Sequence, residues 1–201
     1  MKEKSTKKYI KKIVKPRRED YIRVTSTLFP FSGLDKVNPY VLAHAAARGT
    51  KVHKICEAIM SGLGEHDVDE ECWGYVESFK EWWGTGKPIV EIERRFWCDD
   101  LEITGQVDMI IETPDGLAIV DIKTSSAPSK TWEAQGSAYY YLACKAGLHI
   151  EKVWFLHLNK HGKPATVYEY PCDSSFFLAV LKVFKHFFYK KTKPNKEAID
   201  E

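Results

Sequence analysis

The sequence predicts an α/β protein in which a central β-sheet is flanked by helices. Apolar residues recur at three- and four-residue spacing in four segments, whereas five shorter segments alternate apolar and polar residues or are rich in β-branched side chains. Along the chain the order is helix, helix, three strands, helix, two strands, helix. At 201 residues and 44% hydrophobic content, the chain is long enough for one well-buried core. We therefore predict a single domain over residues 21–190.

Periodicity assigns the helices to residues 38–60, 68–83, 131–145 and 174–189. The first is ended by Ser61-Gly62 and the third by Gly147. In the second, an apolar stripe is predicted to face the core. It consists of Trp73, Val76, Phe79 and Trp83.

The strands are predicted over residues 88–98, 107–111, 117–122, 153–158 and 166–170. The second and third form a hairpin through Thr113-Pro114-Asp115-Gly116, in which proline sets φ at a turn position and glycine accepts positive φ. Before the first strand, residues 84–87 read Gly-Thr-Gly-Lys, but Pro88 stands where a phosphate-binding loop needs Ser or Thr. We predict a turn there and no nucleotide cofactor.

Charged residues interrupt the apolar strands of this hairpin. Asp108 lies within the first strand, and Asp121 and Lys123 flank Ile122 in the second, so alternation places these two side chains on one face. Two adjacent carboxylates repel unless a divalent cation lies between them, and hard oxygen ligands suit Mg²⁺ or Mn²⁺. Lys123 could then act on water or on a phosphate. The alternative is a buried Asp–Lys ion pair that only stabilises the hairpin.

The ends of the chain differ in composition from the middle. Residues 1–18 carry nine Lys or Arg against one Glu, although the net charge of the whole chain is +2. We predict a basic, flexible tail over residues 1–20, which either contacts nucleic acid or serves as a solubility arm, and a second flexible tail over residues 191–201. No apolar run is long enough for a membrane span, so no membrane partner is expected.

Four short motifs and the α-β-β-β-α-β order give roughly residues 45–160 a resemblance to the PD-(D/E)XK nuclease superfamily, and within it to the RecB-like exonuclease group. The resemblance implies a mixed central sheet flanked by helices, with an added N-terminal helical region and a C-terminal helix. The motifs are Gly49-x-x-x-His53-x-x-x-Glu57 on a helix, Gly105-x-x-Asp108 entering a strand, Asp121-Ile122-Lys123 ending the next strand, and Gln135-x-x-x-Tyr139 on the following helix.

This resemblance implies an active site that uses Mg²⁺ or Mn²⁺. It assigns metal binding to Asp108, Asp121 and the backbone carbonyl of Ile122, with His53 as a further ligand. Lys123 would orient or activate the attacking water and stabilise charge on the phosphate. These residues are therefore the predicted catalytic and metal-binding set.

Four more residues are predicted to support the site. Gln135 and Tyr139 lie one helical turn apart and are expected to contact the DNA strand or Lys123. Glu57 shares the face of His53 and could orient its ring. Glu93, on the strand before the hairpin, is either a further acid of the site or a solvent-facing residue of an edge strand.

The cysteines argue against an iron–sulfur cluster. Some relatives hold one with four cysteines, three of them clustered after the core, whereas this chain has only Cys172 there. All five cysteines are widely separated and form no Cys-x-x-Cys pair, which favours a reducing compartment. We expect the cytoplasm of a bacterium or of a phage-infected host, with a nuclear or organellar location as alternatives.

Together these features predict a metal-dependent DNA exonuclease. Its expected substrate is single- or double-stranded DNA in recombination, repair or phage DNA processing, and other recombination or replication proteins are possible partners. One alternative is a structure-specific endonuclease of the same superfamily. Another is a non-catalytic DNA-binding module that uses the basic tail for affinity. The sequence leaves the oligomeric state open.

Overall fold

The predicted order of elements is found in the computed structural model, which describes residues 17–65 and 67–189. A two-residue strand, β1 (Ile22–Arg23), and a short helix, α1 (Val24–Leu28), precede the predicted elements. The long helices are α2 (Pro39–Met60), α3 (Glu70–Trp83), α4 (Trp132–Lys145) and α5 (Ser175–Phe187). The remaining strands are β2 (Ile89–Cys98), β3 (Ile103–Thr113), β4 (Gly116–Lys123), β5 (Ile150–His157) and β6 (Thr166–Tyr170).

The strands form one mixed sheet in the order β1-β3-β4-β5-β6, with β2 also paired to β3. The pairs β2–β3, β3–β4 and β5–β6 are antiparallel. The pairs β1–β3 and β4–β5 are parallel, and α4 forms the crossover that joins β4 to β5. The predicted α/β class, with a mixed central sheet flanked by helices, is therefore confirmed.

Apolar side chains cover both faces of the sheet. One face packs against α4 and α5, and the other packs against α2 and α3. On β4, Ile119 belongs to the first of these layers and Val120 to the second. Because side chains alternate along a strand, Asp121 and Lys123 share the face of Ile119 and point towards α4.

One detail of the predicted helix faces is wrong. On α3, Trp73 is 52% exposed, whereas Val76 and Phe79 of the same predicted stripe are buried together with Cys72 and Tyr75. On α2, burial is confined to the carboxyl-terminal half, and Val41 is 60% exposed. The amino-terminal half of this long helix therefore extends beyond the layer that covers the sheet.

The predicted tails lie almost entirely outside the described residues, which begin at Arg17 and end at Tyr189. Near the described start, Arg18 forms an ion pair with Asp99 at 3.4 Å, and the hydroxyl of Tyr21 donates to the same carboxylate at 3.0 Å. Neither tail prediction is tested by these contacts. In the part of the chain that the structure describes, none of the helices combines the length and apolar character needed to cross a bilayer.

Gly74→Ala is expected to lower the free energy of unfolding by about 1–3 kcal/mol, because the new Cβ would overlap the carbonyl oxygen of Lys160. Urea denaturation measures the change. As a control, Glu81→Ala alters an exposed position of the same helix and introduces a better helix former, so its midpoint should stay close to that of the wild type. Wild-type stability in Gly74→Ala would mean that α3 is not held against this loop.

Candidate active site

The candidate site lies where β3 and β4 separate. Their antiparallel ladder ends at the pair Met109–Val120. Asp108 and Asp121 are the next residues on the two strands and lie just beyond the end of the ladder. At its amino-terminal end, β3 pairs with β1 through Ile103 and Thr104. Because β2 occupies the other edge of β3 throughout this stretch, β1 and β4 share one edge and leave a gap between them. We call this gap the fork.

The Asp108 carboxylate lies at the fork and connects the sheet to α2. Its Oδ2 accepts a hydrogen bond from the backbone N–H of Ile122 at 2.5 Å. Its Oδ1 lies 2.9 Å from Nδ1 of His53. The side chain is buried, so both contacts compensate for the loss of water around the charge.

Asp121, Lys123, Gln135 and Tyr139 form a connected polar group on the α4 side of the fork. The ammonium of Lys123 lies 2.7 Å from Asp121 Oδ2 and donates to Gln135 Oε1 at 2.9 Å. The Gln135 amide N–H donates to the Tyr139 oxygen at 2.7 Å and approaches Asp121 Oδ1 at 3.5 Å. The Gln135 amide therefore holds the ammonium, the carboxylate and the phenol in a fixed relation.

Gly105 allows α4 to come this close to β3. A Cβ at this position would lie 2.9 Å from Cδ1 of Leu142 and 3.0 Å from the ring of Tyr139. A larger residue would displace α4 and the Tyr139 ring with it. In the Gly105-x-x-Asp108 motif, the first residue thus has a packing role and the last carries the charge.

A second group lies on the α2 side of the fork and consists of His53, Glu93 and Asp108. One potential ligand atom of each lies within 4.8 Å of the other two. Glu93 adopts the left-handed conformation, with φ of 51°, which residues other than glycine rarely do and which is common at functional sites. Its carboxylate accepts a hydrogen bond from Gln106, whose side-chain oxygen accepts one from Arg95. This chain of polar contacts fixes Glu93 beside Asp108.

Comparison with known families gives evidence on the family of the chain. A family model of the PD-(D/E)XK nuclease superfamily matches residues 73–196, which is more than half of the chain. The chain belongs to this superfamily. The match contains Asp108, Asp121 and Lys123, and membership indicates a metal-dependent nuclease. It begins after α2, so it does not reach the Gly49-x-x-x-His53-x-x-x-Glu57 motif. A comparison with curated proteins found none that matches the chain.

Negative charge is unfavourable for two of the acids in this nuclease. Burial raises the pKa of Glu93, and the neighbouring charge of Asp108 adds to the effect. Burial also raises the pKa of Asp121; Lys123 opposes the change, but repulsion from Asp108 supports it. A cation placed between these carboxylates would therefore stabilise all three charges.

His53 and Asp108 shift each other's pKa in opposite directions. Burial disfavours the charged form of His53, but the Asp108 carboxylate outweighs this and raises the imidazole pKa to about 9. Burial likewise opposes the charge of Asp108, but His53 and the Ile122 N–H hold the pKa of this carboxyl below its usual value. Coordination needs a neutral imidazole, so a metal would displace the His53 proton, and its affinity would fall as the pH falls below about 9.

The donor set fits a divalent cation. With His53 neutral, the carboxylates of Glu93, Asp108 and Asp121 against the Lys123 ammonium leave a net charge of −2, which such an ion neutralises. Carboxylate-rich sites suit Mg²⁺ or Mn²⁺. Asp121 Oδ2 is buried and lies 2.7 Å from the Lys123 ammonium. A carboxylate oxygen can accept more than one contact, so this oxygen can also bind a cation.

The fork brings together most of the predicted site residues, with two differences of detail. Glu57 is exposed and lines a cavity with His53, Glu93 and Asp108, but no hydrogen bond between it and His53 occurs in the described ranges. Its supporting role stays a prediction, and the acid whose oxygen lies within 4.8 Å of the ligand atoms of His53 and Asp108 is Glu93. Ile122 contributes its backbone N–H to Asp108. The predicted metal-binding role of its carbonyl stays a prediction, as do the catalytic roles of the other residues.

Sequence reasoning missed Gln106 and Arg48. Gln106 lies two residues before Asp108 on β3, so strand alternation with a predicted ligand was the available signal. Arg48 lines the same cavity as the fork, and its buried Nε has no hydrogen-bond acceptor among the described residues. It directly precedes the Gly49 motif, but nothing in the sequence indicates that an arginine there is partly buried.

Glu93→Gln is expected to weaken Mn²⁺ binding by about tenfold or more, because it replaces a charged oxygen donor beside His53 and Asp108 with a neutral amide. Isothermal titration calorimetry on the metal-free nuclease measures the affinity. Glu57→Gln removes the same charge one helical turn from His53 and should change the affinity by less than about twofold, since exposed charges are screened. Equal losses in both variants would point to long-range charge instead of ligation.

Proposed function

We propose that this superfamily member is a metal-dependent DNA exonuclease. The observation that carries the proposal is the convergence of Asp108, Asp121 and Lys123 at the fork, beside an open cavity of about 970 Å³. A phosphodiester that enters this cavity would meet two carboxylates able to hold a cation and an ammonium able to contact water or phosphate. These are the groups that hydrolysis of such a bond requires.

The metal would be held by His53, Asp108 and Asp121, with Glu93 and the Ile122 carbonyl as additional ligands. When bound, Mg²⁺ or Mn²⁺ supplies Lewis-acid stabilisation of the negative charge that develops on the phosphate. It also compensates the mutual repulsion of the carboxylates.

Lys123 performs the remaining electrostatic work in this proposal. Its ammonium is held between Asp121 and Gln135, so it can orient the attacking water and stabilise charge on a phosphate oxygen. Gln135 prevents the ammonium from rotating away, and Tyr139 fixes Gln135 in turn. We therefore assign Gln135 and Tyr139 to positioning of the lysine.

Exonuclease activity is supported by the resemblance to the RecB-like group. The motif that carries this resemblance predicts that a helical histidine joins the acids, and Nδ1 of His53 lies 2.9 Å from the Asp108 carboxylate. This contact lies outside the region matched by the family model, so it is a separate argument. Action in recombination, repair or phage DNA processing, with other recombination or replication proteins as partners, remains part of the proposal.

Lys123→Met should lower the rate of DNA hydrolysis by at least about a hundredfold, because it removes a charge that stabilises the transition state. Asp121→Asn should have a similar effect. Release of labelled nucleotides from linear DNA in Mn²⁺ gives the rates, and circular dichroism verifies folding. Lys152→Met is the matched control, since Lys152 pairs with Glu169 on β6 and with Asp115 in the hairpin turn, at the end of the hairpin away from the fork. Unchanged hydrolysis in Lys123→Met would exclude the mechanism.

Circular single-stranded DNA is expected to resist the enzyme under conditions in which the linear form of the same sequence is degraded, because an exonuclease needs an end. Gel analysis of both substrates in Mn²⁺ makes the comparison. Cleavage of the circle would support a structure-specific endonuclease. Binding in chelator with no product from either substrate in Mn²⁺ or Mg²⁺ would support a non-catalytic DNA-binding module.

A further inference from the structure

The cavity at the fork has a second wall that the proposed chemistry does not use. Besides the charged residues, apolar side chains from the turns before α2 and from the first turn of that helix line this cavity. We call this surface the apolar wall, defined by Leu34, Val37, Tyr40 and Val41.

The apolar wall is unusually exposed for its composition. Tyr40 is 87% exposed and Val41 is 60% exposed, while Leu34 and Val37 also retain a substantial part of their surface. Tyr40 and Val41 lie on the half of α2 that extends beyond the sheet, and Leu34 and Val37 lie in the turns before it, so the fold does not need these four side chains as core. A cluster of exposed apolar side chains at the edge of a binding cavity marks a surface that contacts a ligand or a partner.

One face of α2 connects the apolar wall to the metal-binding group. The residues of α2 that line the cavity run from Tyr40 through Arg48 to His53. These fourteen helical residues span about 20 Å, which is enough for several nucleotides of a strand. A strand whose phosphate reaches the fork would therefore pass along the apolar wall.

The chemistry of the two walls orients such a strand. Phosphates need cations or hydrogen-bond donors, and the cavity lining includes the cations Lys123 and Arg48, whose guanidinium lies over the Tyr75 ring. Apart from the Tyr40 hydroxyl, the side chains of the apolar wall offer no such groups, but they can pack against the flat faces of bases, and the Tyr40 ring can stack on them. Bases in a duplex are already stacked on each other, so only an unpaired strand could present them.

We propose that the apolar wall binds the bases of an unpaired strand, so that a single-stranded terminus is the substrate the cavity accepts. This inference rests on the proposed nuclease function for the direction of the strand, and it adds a substrate class to it. Tyr40 is the principal specificity-determining residue, because it is the most exposed member of the apolar wall and its aromatic ring allows stacking on any base.

The test compares a single-stranded oligonucleotide with an abasic one that has the same number of phosphates. Fluorescence anisotropy in chelator measures binding without hydrolysis. The full chain is expected to bind the normal strand about tenfold or more tightly than the abasic strand. Tyr40→Ala should remove most of this difference without changing the affinity for the abasic strand, whereas Tyr40→Phe should retain it.

Phe187→Ala is the control, because Phe187 is an aromatic residue of similar exposure on α5 and does not line this cavity. It should bind both oligonucleotides as the wild type does. Equal binding of the two oligonucleotides by the wild type would overturn the inference. So would a change in oligomeric state of Tyr40→Ala with unaltered DNA binding, since the apolar wall would then contact a second copy of the chain.

The readouts separate this inference from the proposed function. If Mn²⁺ supports no hydrolysis but binding in chelator depends on bases and on Tyr40, the nuclease proposal fails and the base-binding surface stands. If hydrolysis proceeds but is equally fast on abasic and normal strands, the apolar wall has no role in substrate choice. With both correct, Tyr40→Ala raises KM on single-stranded DNA several-fold while kcat stays close to that of the wild type.

Discussion

The hydrogen bond from the Ile122 N–H to the Asp108 carboxylate is the contact on which the rest of the site depends. It substitutes a side-chain acceptor for a backbone acceptor at the point where the ladder between β3 and β4 ends. The strands can therefore separate without leaving a buried N–H unpaired, which would be costly. The resulting fork opens a polar site within a sheet whose two faces are otherwise covered by apolar layers.

The charges around the fork are balanced in a way that prepares the site for a cation. Three carboxylates lie near one another, and in the metal-free protein a protonated His53 and Lys123 compensate most of their charge. A divalent ion could take the place of the His53 proton while Lys123 keeps its contacts with Asp121 and Gln135. One set of buried acids thus serves both for stability without metal and for metal binding.

Local patterns in the sequence were sufficient for the elements that depend on neighbours along the chain. The hairpin turn at residues 113–116 follows from proline and glycine, and the limits of β4 follow within one residue from its β-branched run. The strand predicted over residues 107–111 is longer in the structure, where β3 is Ile103–Thr113 and pairs with β2 from Ile103 to Ile111. The pattern was not sufficient for the buried face of α3. Trp73 has the spacing of a core residue but lies outside the stripe that α3 buries, because periodicity does not specify how a helix is rotated against its partner.

The sequence by itself determined the chemical groups of the site and their order, because alternation on β4 places Asp121 and Lys123 on one face whatever surrounds them. Only the tertiary structure decided which acid joins His53 and Asp108. Glu57 is adjacent to His53 along its helix, but Glu93 reaches the group through a left-handed backbone conformation on β2 and a hydrogen bond from Gln106. Such contacts depend on how separate elements pack against each other, which the spacing of residues within one element does not encode.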